Sequence, residues 1–194
     1  MDDPVGDRPS LTELVQGLIE SRSIPSLLRI GVTGHRVLEE GVERWVAREL
    51  DELFSYLAGL ASGAASLRVV SSLAAGADQL FAEAALRYGI PLDVVLPFAR
   101  FADDFPKGPE RDAYERLLSA AASTTCLPWD ERSNGAYLAG GLWLVDHCDL
   151  LIAVWNGQEA AGVGGTGDVV DYCCDVGKPC VHMQTTNLRV EVLT

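Results

Sequence analysis

The sequence predicts a doubly wound α/β domain, a mainly parallel Rossmann-like sheet with helices on both faces. Three observations carry that expectation. Apolar runs of strand length alternate with helix-length amphipathic patterns from residue 28 onward. Runs such as LLIAVW at Leu150–Trp155 are apolar throughout, as strands covered on both faces are. Each run ends in glycine or another turn former.

Residues 1–25 read as an N-terminal extension with one amphipathic helix over 11–19, opened by Ser10 with Glu13 three residues on. Residues 26–194 read as the domain proper. Its first strand is LRIGV at 28–32, followed by an amphipathic helix over 42–60. RVVSS at 68–72 leads into a helix over 77–88, and LDVVL at 92–96 into an irregular segment and a helix over 112–121. Strands at 124–127, 150–155 and 179–183 alternate with helices at 135–146 and 166–176. Such alternation implies right-handed crossovers, and ligands of such sheets bind beyond the carboxyl ends of the strands.

Composition narrows the function. Hydrophobic residues make up 48% of the 194, and charged ones 22%, a globular balance. Acidic residues outnumber basic ones 28 to 15, a formal charge of −13, which disfavours a nucleic-acid partner, whereas one phosphorylated small molecule needs only a local site. The start carries no apolar run like that of a secretory signal, and the stretch 135–157 is broken by Asp146, His147 and Asp149, so no membrane association is expected. Five cysteines without a CxxC pair read as reduced thiols of a cytoplasmic protein. The histidines share no metal-ligand spacing, and neither a metal nor a resident cofactor is expected.

Three glycine turns follow strands and carry the candidate chemistry. In the first, Gly34 allows close backbone approach, His35 lies in the turn, and Arg36 has a fork suited to phosphate; the plainer alternative is a tight turn with a surface arginine. In the second, Ser72, Gly76, Ala77 and Asp78 open a helix whose N-terminus attracts anions, while Asp78 also suits the helix dipole alone. Asp78 and Glu83 stand about 140° apart around that helix, so they form no carboxylate pair unaided. The third turn, Gly164, Gly165, Thr166 and Gly167, is a run of bare amides facing a helix dipole, a phosphate cradle in form, with a merely flexible loop as the plainer alternative. Asp168 after it suits either a ribose hydroxyl or the helix N-terminus.

With these turns the sequence resembles the SLOG superfamily of Rossmann-like nucleotide-binding proteins over residues 28–183. SSLAAGADQLFAEAAL is similar to the helix-opening motif of the DNA-processing protein A group. LLIAVWNG followed by GVGGTGDVVDYC resembles the strand and turn of the LOG phosphoribohydrolases, and GVTGHR with GAD resembles a bacterial subgroup of nucleotide binders. The resemblance implies a small-molecule nucleotide derivative, of the ADP-ribose, NAD or nucleoside phosphate type, bound by a sensor or accessory module with its phosphate at the GGT turn. It also implies an alternative, cleavage of an N-glycosidic or phosphoester bond. The LOG glutamate three residues after the threonine falls here on Val169, so an enzyme would draw its carboxylate from Asp78, Glu83 or Asp168.

The segment from Pro97 through Phe98, Arg100, Phe101, Asp104 and Phe105 reads either as a lid with an aromatic for a base or as packing for an edge. Arg111, Arg132 and Tyr137 resemble pocket-flanking positions of the subgroup, with surface ion pairs as the alternative. Gly140-Gly141 inside an apolar helix permits close contact and points to a homo-oligomer interface.

Overall fold

The chain is described by a computed structural model over residues 9–21, 27–61, 66–159 and 162–193. Ser10 and Glu13 close a capping box, each accepting from the other's backbone amide, at the start of α1 (Leu11–Ser21). The apolar face of α1 is buried in the main core through Leu11, Val15 and Ile19, and Glu49 from the next helix accepts the Leu11 amide at 3.1 Å. The segment expected as an extension thus contributes to the packed body, while the expected boundary at residue 26 lies outside the described residues.

Seven strands among the described residues form one sheet in the order β4-β3-β2-β1-β5-β6-β7. They are β1 (Leu27–Gly34), β2 (Ser66–Ser71), β3 (Leu92–Leu96), β4 (Ser123–Cys126), β5 (Leu150–Trp155), β6 (Cys180–Gln184) and β7 (Arg189–Leu193). All neighbours pair in parallel except β6 and β7, a hairpin at the edge. The intervening helices are α2 (Glu40–Ala61), α3 (Ala77–Arg87), α4 (Pro109–Ser119), α5 (Asn134–Asp146) and α6 (Thr166–Asp175). This is the α/β, doubly wound architecture the alternation predicts.

The sheet separates two apolar clusters. Ile30 and Val32 of β1 face the larger one with α1, α2, α3 and α4. Val70, Val95, Leu151 and Ala153 face the smaller one, closed by α5 and α6 through Leu144, Val145, Val169 and Cys173. Register shapes the end of the sheet that matters for function. β1 pairs with β2 only as far as Gly31, but with β5 as far as Gly34, so its last residues run past β2 with a neighbour on one side.

Some differences from the sequence reading have clear causes. Helix α4 starts at Pro109 rather than 112, because proline suits the first helical position and Gly108 before it, at φ +144°, supplies the turn. The irregular segment after β3 contains a short 3-10 turn, Phe101–Asp104. Its aromatics serve mainly as packing: Phe98, Phe101 and Phe105 are buried in an edge-to-face cluster, with Phe105 stacked on Tyr114 at 4.6 Å, and Phe101 also lines the cavity described below. The glycine pair of α5 is used within the chain. A Cβ on Gly141 would stand 2.3 Å from Val169 Cγ2, and one on Gly140 3.2 Å from Pro97 Cβ, so these glycines seat α5 against α6 and β3 and offer no ground for an oligomer interface.

Candidate functional site

From β1 the chain winds outward through β2, β3 and β4 on one side of the sheet, then returns to β5 on the other. The switch point therefore lies between the carboxyl ends of β1 and β5, where adjacent crossovers diverge and leave a crevice. A cavity of about 370 Å³ opens there, at the small end of the range for ligand sites. It is lined by all three turns: Gly34, His35 and Arg36 from the first, Ser72 and Asp78 from the second, and Gly164 through Gly167 from the third, with Pro97 at the end of β3.

The first turn is held by its neighbours. Gly34 has no room for a side chain, since a Cβ would lie 2.5 Å from Ala77 Cβ and 2.8 Å from the Val154 carbonyl. The His35 amide donates to the Val154 carbonyl at 3.0 Å, and the His35 carbonyl accepts from the Ala77 amide at 3.1 Å. On the side chain, Nε2 accepts from the Asn156 amide at 3.1 Å, which fixes a neutral ring with its proton on Nδ1. His35 thus braces the turns after β1 and β5 and the start of α3.

Gly76 and Ala77 lie behind the cavity, outside its lining. Gly76 sits at φ +77°, and a Cβ there would meet the His35 carbonyl oxygen at 2.5 Å and that of Arg36 at 2.6 Å. Their work is a close chain crossing, and the sequence reading of both as ligand contacts is corrected to that extent. Asp78, by contrast, lines the cavity from α3 and is buried. The nearby amides of Ala74 and Ser72 and the Ser71 hydroxyl, 3.5 Å from Oδ2, favour its charged form, so the chain's own acid faces the second turn. Burial outweighs those hydrogen bonds and the nearby Arg36 charge, and pushes the Asp78 carboxyl up to about 7.

At the third turn, Gly164 adopts φ +89° and passes within 2.8 Å of α5 backbone atoms at the place a Cβ would occupy. Its amide donates to Asp168 Oδ2 at 2.6 Å. Asp168 therefore braces its own turn and stands outside the cavity lining, which corrects its reading as a ribose contact or catalytic acid. Helix α6 has Gly165 as its N-cap and no side-chain cap, so the first-turn amides of Thr166 and Gly167 are left for the cavity that both residues line.

The rim carries a group that sequence reasoning saw only in pieces. The Arg36 guanidinium lies 4.9 Å from the centre of the Tyr137 ring and 3.8 Å from Asp104 Oδ2. The Asp104 side chain is largely covered and accepts from the Tyr137 hydroxyl, and the partial burial of Tyr137 together with that contact raises its phenol above its ordinary range. Arg132 stands outside the lining but approaches the other Asp104 oxygen at 3.7 Å. Arg111 is engaged elsewhere, by Glu115 and the Ala102 carbonyl, and Glu83 pairs with Arg116 away from the cavity. Trp155, Asn156, Gln158 and Glu159 also line the cavity; their position at and just after the end of a buried strand was the available signal for them.

Among the described residues no group of His, Cys, Asp and Glu side chains is arranged to hold a metal ion, and no helix is long and apolar enough to cross a membrane. No protein-family model matches the chain, and no curated protein matches it. Solved structures do. DNA processing protein A from Streptococcus pneumoniae superposes with a TM-score of 0.57 at 20% identity, over 80% of this chain and 50% of that one. DNA processing protein A from Helicobacter pylori gives a TM-score of 0.59 at 16% identity, over 84% of this chain and 68% of that one. The present chain thus spans half the length of the pneumococcal protein. At these identities the likeness is one of fold, and the fold is the one that the resemblance to the SLOG superfamily implies. One expectation is overturned. The Helicobacter pylori protein has a single-stranded DNA binding mode, so net charge does not make a nucleic-acid partner a poor candidate for this fold. Whole-chain charge says little about one local groove.

Proposed function

We propose that the chain binds a nucleotide or nucleotide derivative in the cavity between β1 and β5, as a sensor or accessory module of the cytoplasm. The observation that carries this is the opening of the uncapped α6 N-terminus into a cavity at the switch point that Arg36 also lines. Bare amides at a helix start, with about half a positive charge behind them, form a seat for a phosphate. Tyr137, Leu144 and Trp155 supply flat and apolar surface for the remainder of the ligand. Five unpaired thiols suit a reducing compartment.

Isothermal titration with AMP, ADP-ribose, NAD, cyclic dinucleotides and a short single-stranded oligodeoxynucleotide tests this reading. Saturable heat with at least one nucleotide is expected, and silence across the whole panel from folded protein overturns it. Gly165 lies at φ −78°, where a side chain is tolerated, so Gly165→Asp should fold and place an anion at the proposed phosphate seat. Loss of binding is expected; retained affinity moves the phosphate elsewhere.

One observation favours a second reading, hydrolysis of an N-glycosidic or phosphoester bond in a nucleotide. Asp78 is a buried carboxyl in the cavity wall that titrates near neutrality, the property asked of a general acid or base. Chromatography of nucleoside monophosphates and NAD after long incubation decides it. Product that appears with the native chain and not with Asp78→Asn supports turnover, and unchanged substrate at high protein concentration removes this reading for the compounds used.

A further inference from the structure

The α6 N-terminus accounts for one anionic group, yet a second set of donors stands at the cavity rim. Arg36 leaves the end of β1 and Arg132 the loop before α5, but both guanidinium groups lie over the Tyr137 ring, at 4.9 and 6.0 Å from its centre. Both also approach Asp104, Arg36 Nη1 at 3.8 Å from Oδ2 and Arg132 Nε at 3.7 Å from Oδ1. These separations give charge attraction without hydrogen bonds. The hydrogen bond that Asp104 does accept comes from the Tyr137 hydroxyl.

Asp104 and the Tyr137 ring therefore hold two forked cations in place without saturating their donors. Asp104 alone cannot neutralise two guanidinium groups, and Asp78, the other carboxyl near Arg36, is pushed by burial toward its neutral form; the arginine side chains are 46% and 69% exposed while the Asp104 side chain is 6% exposed. An oxyanion is the partner that such a fork recognises best. We infer that Arg36 and Arg132 form a second anion subsite at the rim of the cavity, so that the ligand carries two separate phosphate groups, one on the α6 turn and one between the arginines. This inference rests on the nucleotide reading of the same cavity, and it narrows the ligand to nucleoside diphosphates or bisphosphates.

Calorimetric titration of AMP, ADP and adenosine 3′,5′-bisphosphate into the native chain and into Arg132→Gln tests it. The native chain should bind one of the two-phosphate ligands at least tenfold more tightly than AMP, and which of the two shows how the phosphates are spaced. In Arg132→Gln that preference should fall to about twofold or less. Tyr137→Leu, which removes both the ring and the hydroxyl that mounts Asp104, should reduce the preference in the same direction. AMP binding as tightly as both other ligands, or a preference that survives Arg132→Gln, overturns the second subsite and leaves nucleotide binding standing. No binding of any of the three by folded protein overturns the second subsite, and the nucleotide reading falls with it when the wider panel is silent as well.

Discussion

The backbone amide of Asn156 donates to Nε2 of His35 at 3.1 Å, so residues 121 positions apart tie the end of β5 to the end of β1 across the switch point. A neutral imidazole is needed for this, because a ring protonated at Nε2 has no lone pair to offer. Replacement of His35 by alanine leaves the Asn156 amide without its acceptor and opens a gap beside the cavity. We expect a loss of about 1–3 kcal/mol in urea unfolding and a weaker nucleotide titration in the same variant. Unchanged stability together with unchanged affinity shows that the tie plays no part in shaping the site.

Gly76 and Gly89 offer a controlled comparison, since both have positive φ, +77° and +71°. At Gly89 a Cβ meets nothing within 4 Å, whereas at Gly76 it meets the His35 and Arg36 carbonyl oxygens at 2.5 and 2.6 Å. Gly89→Ala then bears only the left-handed strain, about 1 kcal/mol, while Gly76→Ala adds a backbone clash and should lose at least about 3 kcal/mol. Denaturant midpoints of the two variants measure the difference. Equal midpoints show that the crossing of the first turn over α3 yields more readily than its geometry implies.

How far the sequence discloses such relationships depends on how local their causes are. The strands Leu92–Leu96 and Leu150–Trp155 match their predicted bounds residue for residue, because short, mostly apolar runs between turn formers have few other fates. Strand β7, RVEVL, escaped notice: its five residues alternate with charge, and only pairing with β6 makes them a strand. The three turns were legible because glycine is a local demand of the backbone. The roles of acids beside them were not. Asp78 and Asp168 have the same side chain and both follow a glycine turn, yet the first lines the cavity and the second braces its own loop. Asp104 meets Tyr137 across 33 residues, and no periodicity announces such a partner.

Asp168 gives a test of where the anion sits. Asp168→Asn keeps an oxygen to accept the Gly164 amide, so the turn should persist, but it removes a full negative charge from the first turn of α6. A phosphate on that turn then loses a repulsion worth about 1 kcal/mol near the surface, and nucleotide affinity should rise about fivefold at low salt and less at high salt. The helix itself loses a favourable N-terminal charge, about 0.5 kcal/mol of stability. If affinity falls or does not change while the fold is intact, the phosphate lies away from α6.

Asp78 makes stability depend on pH with a sign opposite to that of most carboxylates. Its carboxyl is pushed up to about 7 in the folded chain, against an ordinary value of 3.8. Below about pH 4 both states hold the proton and the contribution is fully present; as pH rises, the unfolded chain releases that proton while the folded chain keeps it, so unfolding becomes easier. The loss is complete once Asp78 ionises near pH 7, and amounts to something on the order of 4 kcal/mol. Asp93 acts in the other direction: its partial burial pushes it up, but Arg68, through two 2.6 Å hydrogen bonds, and the Ser123 hydroxyl outweigh that and hold it below its ordinary range, so its stabilisation is lost as pH falls through its folded value. The two effects are separated by taking the difference between native and Asp78→Asn unfolding free energies from pH 4 to pH 8. That difference should move steadily in favour of Asn and level off above pH 7; a difference independent of pH shows that Asp78 is ionised throughout. An anion on α6 or Arg36 shifts the same equilibrium, because it disfavours a second negative charge in the cavity. Nucleotide binding near pH 7 should then take up protons, and titration heats should vary with the ionisation enthalpy of the buffer.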